Sequence, residues 1–269
     1  MNKQQRSFAE HYGPWTLVAG ASEGLGEAFA RAAAAHGLNL ILVARRPALL
    51  EALAAEIRVA QRVEVQTLAG DLADPAFLTV IERAAAARDI GLLIYNAALS
   101  VTAPFLDQPL EQHLRAIDIN CRAPLRLTHS FGQLMRGRGR GGIVLMSSLT
   151  GFQGSPLLST YGATKAFNLV LGEGLWDELE VNGIDVLVCA AGATTTPGYL
   201  ASRKGPASGF EPAPRTPEAV AREALDRLGR GPVLVPGFAY RLVAWILHHL
   251  VSRRAAVRLM GKTARSLAS

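Results

Sequence analysis

Short runs rich in apolar residues alternate along this chain with longer stretches in which apolar positions return every three or four residues. The runs fall at 15–19, 38–44, 63–69, 92–95, 143–146 and 184–189, a length that suits strands. The periodic stretches at 27–36, 49–58, 75–87, 110–136 and 159–181 suit helices with one face turned inward. Strands that are apolar throughout, rather than at every second position, are covered on both faces. Strict alternation of strand and helix forces parallel pairing, because each right-handed crossover returns the chain to the same end of the sheet. The pattern predicts an α/β fold, a doubly wound parallel sheet in a single domain over 1–236, followed by a C-terminal extension over 237–269.

Composition narrows this picture. No Pro/Gly/Ser linker divides the 269 residues, and 49% of them are apolar, enough for a sheet covered on both sides. The polar start, 1–12, lacks the apolar stretch of a secretory signal, and no apolar run approaches the ~18 residues that span a bilayer, so a cytoplasmic protein is expected. Cys121 and Cys189 stand far apart in apolar surroundings, which reads as reduced core thiols. His248 and His249 are adjacent and so point to different helical faces, and no metal site is expected. The net charge of +6 raises the question of nucleic acid, but the one Arg-Gly run, 137–142, is short and lacks interleaved aromatics. It reads as a solvated turn, and no nucleic-acid partner is expected. The charge equally suits a phosphate-bearing cofactor or an anionic surface.

The first chemistry appears directly after the first strand, in Gly20-Ala21-Ser22-Glu23-Gly24-Leu25-Gly26. Glycines there allow a tight turn and close approach of a pyrophosphate, and the free N–H groups of the following helix supply positive partial charge. Placed between strand and helix of a βαβ unit, the segment reads as a Rossmann-type dinucleotide site, with Gly20, Ser22, Glu23, Gly24, Leu25 and Gly26 facing the cofactor. A ribose 2′-hydroxyl is ordinarily met by an acid at the end of the second strand. Here that strand ends in Arg45 and Arg46, whose guanidiniums suit a 2′-phosphate, so NADP(H) is favoured over NAD(H).

Tyr161 and Lys165 open the last long helix four residues apart, on one face. An ammonium beside a phenol favours its ionised form and should lower its pKa, which fits it for proton transfer. Ser148 lies thirteen residues upstream at the end of a strand, where open α/β sheets bind ligands. Asn96 ends another strand, and Asn120 interrupts an apolar helical pattern, a poor core residue unless something uses it. Pro124 follows Asn120 by four and has no N–H to bond its carbonyl. The spacing thus predicts a kinked helix with a free acceptor, able to hold a water that links Lys165 to solvent.

Together these motifs resemble the short-chain dehydrogenase/reductase family over about 15–236. The resemblance implies that Gly20, Gly24 and Gly26 are the cofactor turn and that Asp71, with Leu72 beside it, lies near the adenine. It makes Asn96 the asparagine at the end of the central strand, and Asn120, Ser148, Tyr161 and Lys165 the catalytic tetrad. Tyr161 and Lys165 would also touch the cofactor, Lys165 at the nicotinamide ribose. Residues 191–196 resemble the family's Pro-Gly segment, so that Gly192, Thr194 and Thr196 would face the nicotinamide, Thr196 at its carboxamide and Gly192 passing close to the ring. Ala19 stands where threonine is usual, Tyr95 and Ala98 replace the outer residues of Asn-Asn-Ala-Gly, and Ala191 replaces proline. Ala19, Tyr95 and Ala98 are expected to form a repacked contact between the first and fourth strands. The stretch 156–161 and the Arg45-Arg46 pair most resemble the ketoacyl and hydroxysteroid reductase branch. A homodimer or homotetramer through the two long helices is implied.

Residues 198–217 resemble the family's substrate lid, and Leu149, Phe152, Leu157, Leu158, Tyr199 and Phe210 could line an apolar pocket. The tail mixes Leu242, Val243, Trp245, Ile246, Leu250 and Val251 with Arg241, Arg253, Arg254, Arg258 and Lys262. It reads as an amphipathic basic helix, with docking on the body or a second subunit favoured over adsorption to an anionic membrane. The expected activity is NADPH-dependent reduction of an apolar ketone, or oxidation of its alcohol. The alternative is an NADPH-binding regulator that acts through its tail.

Overall fold

The computed structural model describes residues 3–100, 102–202 and 212–268, and the side chains of residues 7–100, 102–201 and 212–261. The chain runs α1 (Lys3–Tyr12), β1 (Trp15–Ala19), α2 (Gly24–Ala35), β2 (Asn39–Ala44), α3 (Pro47–Gln61), β3 (Val65–Ala69), α4 (Pro75–Ala86) and β4 (Ile90–Tyr95). It continues through α5 (Leu110–Ile117), α6 (Ala123–Arg138), β5 (Gly141–Ser148), α7 (Ser159–Glu180), β6 (Ile184–Ala191), α8 (Pro197–Ser202), α9 (Pro217–Arg227), β7 (Val233–Leu234), α10 (Phe238–His249) and α11 (Arg253–Ala268).

The sheet has the order β3-β2-β1-β4-β5-β6-β7, and every pairing is parallel. Alternate residues of each strand feed two cores. Val18, Leu40, Leu42, Ile94 and Leu187 pack under α2, α3 and α9, whereas Leu17, Ile41, Leu93, Leu145 and Val186 pack under α4 and α6. This double burial explains why the inner strands are mostly apolar at consecutive positions, whereas β3 at the sheet edge carries Gln66 and Thr67. From β1 the chain winds outward through β2 to β3, then jumps back to place β4 on the other side of β1. The carboxyl ends of β1 and β4 therefore open a crevice at the reversal, where such sheets bind ligands.

One element was not foreseen, and two expectations need amendment. The polar start forms α1, which closes the amino end of the sheet: Tyr12 is buried and its hydroxyl donates to Asp185 Oδ2 at 2.6 Å. Burial, reinforced by that carboxylate, raises the Tyr12 phenol far above its usual range. The Arg-Gly run is a solvated turn only at Gly139 and Arg140, which are exposed. Arg138 donates to the Gly13 carbonyl at 2.6 Å and pairs with Asp89 at 2.9 Å, while Gly141 already belongs to β5. Finally, the long helix expected over 110–136 is interrupted between α5 and α6 by a π-type turn, Asp118–Arg122, in which the Ala123 N–H reaches back five residues to Asp118. Pro124 forbids the regular ladder there, and the π turn absorbs the missing bond. Both cysteines are free, Cys189 in the core and Cys121 half-buried.

Candidate active site

The glycine turn joins β1 to α2 at the crevice. Gly20 and Gly24 take φ of 81° and 59°, a region that side chains rarely tolerate. Gly26 is confined differently, since a Cβ there would run into the Gly20 carbonyl and the Asn96 amide. Asn96 fixes the turn by donating to the Gly20 carbonyl at 3.0 Å. At the outer end, Arg46 donates to the Ser22 hydroxyl at 2.9 Å and pairs with Glu23 at 2.8 Å. Arg45 and Arg46 are both exposed beside the turn. Asp71 accepts the Ala73 N–H at 3.0 Å and is bound by Arg115. Burial works to raise its carboxyl, but the Ala73 N–H, Arg115 and then Arg45 together hold it below the usual range. Leu72 is buried in one core, while half-buried Leu25 packs against the other. The positive-φ glycines, the amino end of α2 and the two guanidiniums form a cradle that fits a nicotinamide dinucleotide.

The four expected catalytic residues converge at the carboxyl end of β5. Ser148 is its last residue, and Tyr161 and Lys165 lie in the first two turns of α7. Burial raises the Tyr161 phenol, and a hydrogen bond with Ser148 draws it partly back. Lys165 is buried, with Nζ 5.6 Å from the phenol ring centre and donating to the Met146 carbonyl at 2.9 Å. Burial lowers its ammonium to about 8, against smaller upward pulls from Cys121 and Cys189. The expectation that Lys165 lowers the phenol is thus corrected for the chain by itself: burial outweighs it, and the ammonium is turned to a carbonyl.

Asn120 is fully buried in the π turn. Its Oδ1 accepts the Leu99 N–H at 2.7 Å, and its Nδ2 donates to the Leu99 carbonyl and the Thr164 hydroxyl, each at 2.9 Å. Thr164 in turn donates to the Tyr161 carbonyl at 2.8 Å, so the two catalytic segments are tied together. The Asn120 carbonyl was expected to be free. It is released from the helical ladder, but Asn168 Nδ2 donates to it at 3.0 Å. Asn168 escaped the sequence reading, although a buried amide one turn beyond Lys165 was a signal of the same kind as Asn120.

The expected repacking between β1 and β4 is present at Ala19 and Tyr95, which face one another in register. Tyr95 also does something unforeseen, donating from its buried hydroxyl to the Ile119 carbonyl at 2.5 Å and so bracing the π turn.

The segment after β6 crosses over the glycine turn: a Cβ on Gly24 would lie 3.0 Å from Thr196. Thr194 bridges to Arg215, and the Thr196 hydroxyl accepts the Tyr199 N–H at 3.2 Å, opening α8. At Gly192 the structure adds a reason for glycine that lies within the chain itself. A Cβ there would fall 2.5 Å from the ring of Tyr240, a buried side chain of α10 whose hydroxyl donates to the Pro212 carbonyl at 2.9 Å. Nearby, Glu223 of α9 gathers Arg215 at 3.0 Å, Arg241 at 2.9 Å and the Gly237 N–H. Neither Tyr240 nor Glu223 carried any local signal, since both act across distant segments.

Leu149, Phe152, Leu157, Leu158 and Tyr199 belong to neither core and are half-buried, as pocket residues should be. Leu157 adjoins Tyr161 in a recess with Leu99, Phe105 and His113. It holds φ at 67°, pinned by the Ala103 N–H on its carbonyl at 3.0 Å. Phe210 and much of the expected lid, residues 203–211, lie outside the described residues, as does the Lys262 side chain. No helix among the described residues is long and apolar enough to cross a membrane.

Residues 14–205 match the family model described as short chain dehydrogenase. A 7beta-hydroxysteroid dehydrogenase of Collinsella aerofaciens is 35% identical over 233 residues, covering 86% of this chain and 89% of that one. A very-long-chain 3-oxoacyl-CoA reductase of Phaeosphaeria nodorum is 33% identical over 258 residues, 91% of this chain and 74% of that one. Among solved structures, a 7beta-hydroxysteroid dehydrogenase superposes with a TM-score of 0.89 at 32% identity, over 94% of this chain and 98% of the other. A short-chain dehydrogenase of Sphingobium yanoikuyae in complex with NADPH gives 0.76 at 35% identity, over 87% and 92%.

Proposed function

The chain belongs to the short-chain dehydrogenase family, NAD(P)-dependent enzymes acting on CH–OH and C=O groups, and on that premise we propose that it reduces the carbonyl of a bulky apolar substrate with NADPH. The observation that carries this reading is the convergence of Ser148, Tyr161 and Lys165 with Asn120 beside the cofactor cradle. The bound reduced nicotinamide supplies the hydride. Ser148 holds the substrate oxygen, and Tyr161 gives that oxygen its proton from Oη. The raised phenol stays protonated at neutral pH, which suits a proton donor. Lys165, held near 8, is poised to exchange protons at the pH of the cell, and the second lone pair of the Asn120 carbonyl can hold a water on the route to solvent.

Arg45 and Arg46, with the Ser22 hydroxyl at hand, support a 2′-phosphate and hence NADP(H). The names of the relatives, a 7beta-hydroxysteroid dehydrogenase and a very-long-chain 3-oxoacyl-CoA reductase, support a steroid or long-chain ketoacyl compound as the substrate class. The exposed Leu114, Leu125, Phe167 and Val170 on α5, α6 and α7 support assembly of copies through these helices. Tyr161→Phe tests the mechanism. Turnover of a ketone substrate should fall at least about a hundredfold, with NADPH still binding as followed by its fluorescence. Retained turnover would overturn the reading.

A further inference from the structure

We propose that α10 and α11 lie on an anionic lipid surface, bringing the rim of the active site to the bilayer. The net positive charge of the chain lies in this segment. Residues 238–269 hold Arg241, Arg253, Arg254, Arg258, Lys262 and Arg265 and no acid, which accounts for the entire net charge of +6. In 1–237 basic and acidic residues balance.

The shape of the segment agrees with its charge. Tyr240 turns α10 inward onto Gly192, yet the opposite face is apolar as well. Phe238, Leu242, Trp245 and Ile246 recur at i, i+4, i+7 and i+8, with Phe238 73% and Trp245 52% exposed. Leu250, 68% exposed, follows at the end of the helix. A twelve-residue helix is about 18 Å long, too short to span a hydrocarbon core of about 30 Å. It can lie in the interface with this stripe and its tryptophan sunk among the acyl chains. Three residues later α11 presents Arg254 and Arg258, exposed and four apart. In the sequence Lys262 follows after four more residues and Arg265 after a further three.

A second copy of the chain fits this face less well. A two-fold contact through 238–269 would set arginine against arginine with no acid in the segment to pair them, whereas phosphate headgroups answer all of them. The location gives the contact a use. Ala256 of α11 is buried, and Val257 approaches Gly154, in the segment between Ser148 and Tyr161. Both helices therefore border the site, and an apolar ketone dissolved in the bilayer would reach it without crossing water.

The test is co-sedimentation of the full chain with phosphatidylcholine vesicles, with and without phosphatidylglycerol, at low and high salt, beside size-exclusion chromatography. Phosphatidylglycerol should tighten binding at least about tenfold. Arg254→Glu with Arg258→Glu should abolish that gain, and Leu242→Ser with Trp245→Ser should lower the remaining binding at least about tenfold. These side chains are exposed, and circular dichroism should be unchanged. Binding that ignores phosphatidylglycerol, or that both double variants leave intact, overturns the proposal. So does a wild-type dimer that fails to bind vesicles and becomes monomeric with Leu242→Ser and Trp245→Ser. None of these readouts depends on catalysis, so the proposed reaction and the lipid contact stand or fall separately.

Discussion

Gly192 is where a small perturbation separates two explanations of one residue. Its φ lies outside the left-handed region, so alanine there meets no backbone penalty. What alanine would meet is the Tyr240 ring, 2.5 Å from two ring carbons and 2.9 Å from a third. Carbon atoms rest at about 3.5–4 Å, so the overlap is about an ångström. The ring has little room to yield, being buried and held at its hydroxyl by the Pro212 carbonyl. Either the end of β6 or α10 must shift, and overpacking of this kind costs about 1–3 kcal/mol. Tyr240→Ala alone should cost about 3–5 kcal/mol, as loss of a buried aromatic does. Adding Gly192→Ala to Tyr240→Ala should then cost almost nothing, because the methyl group enters the vacated space. The double-mutant cycle should therefore show a coupling of about 1–3 kcal/mol. Urea unfolding at constant m measures all four corners, and NADPH KM reports on Thr196, which the same shift would carry away from Gly24. Equal costs of Gly192→Ala in both backgrounds would refute the contact. A rise in KM without any loss of stability would return the glycine to the nicotinamide ring.

Lys165 should give a pH signature in stability. Its folded-state value of about 8 lies below the ordinary 10.5, so burying the charge is a penalty that is complete below pH 8 and fades as pH climbs towards 10.5. The stability advantage of Lys165→Met over the wild type, measured without cofactor, should shrink by about 2 kcal/mol between pH 7 and 9.5, and a difference constant with pH would contradict the assignment. At the cradle, Arg45→Ala with Arg46→Ala should raise the KM for NADPH about ten- to a hundredfold through lost charge-assisted hydrogen bonds, leaving that for NADH little changed. A parallel rise for both cofactors would place these arginines away from the 2′-phosphate.

The six longer strands and the glycine turn were legible because their causes are local. A strand buried on both faces must be apolar at consecutive positions, and a turn that needs positive φ selects glycine at Gly20 and Gly24. Asn120 showed itself as an amide among apolar residues, and Pro124 announced that its carbonyl would leave the ladder. What then met that carbonyl, Asn168, stands 48 positions away, and no pattern along the chain connects the two. The same limit applies to Tyr161. Spacing set an ammonium beside the phenol, but the direction of its shift came from burial, which depends on every segment packed around it. Helix α1 was missed because its polar sequence offers only Phe8, Ala9 and Tyr12 to the core, and Tyr240 because one tyrosine in a tail has no period of its own. The sequence by itself determined which chemistry is present and at which end of the sheet it stands, since backbone geometry and apolar repeats are properties of neighbouring residues. Only the tertiary structure decided how that chemistry is braced and charged, because hydrogen-bond partners and desolvation arise between residues that the chain brings together from far apart.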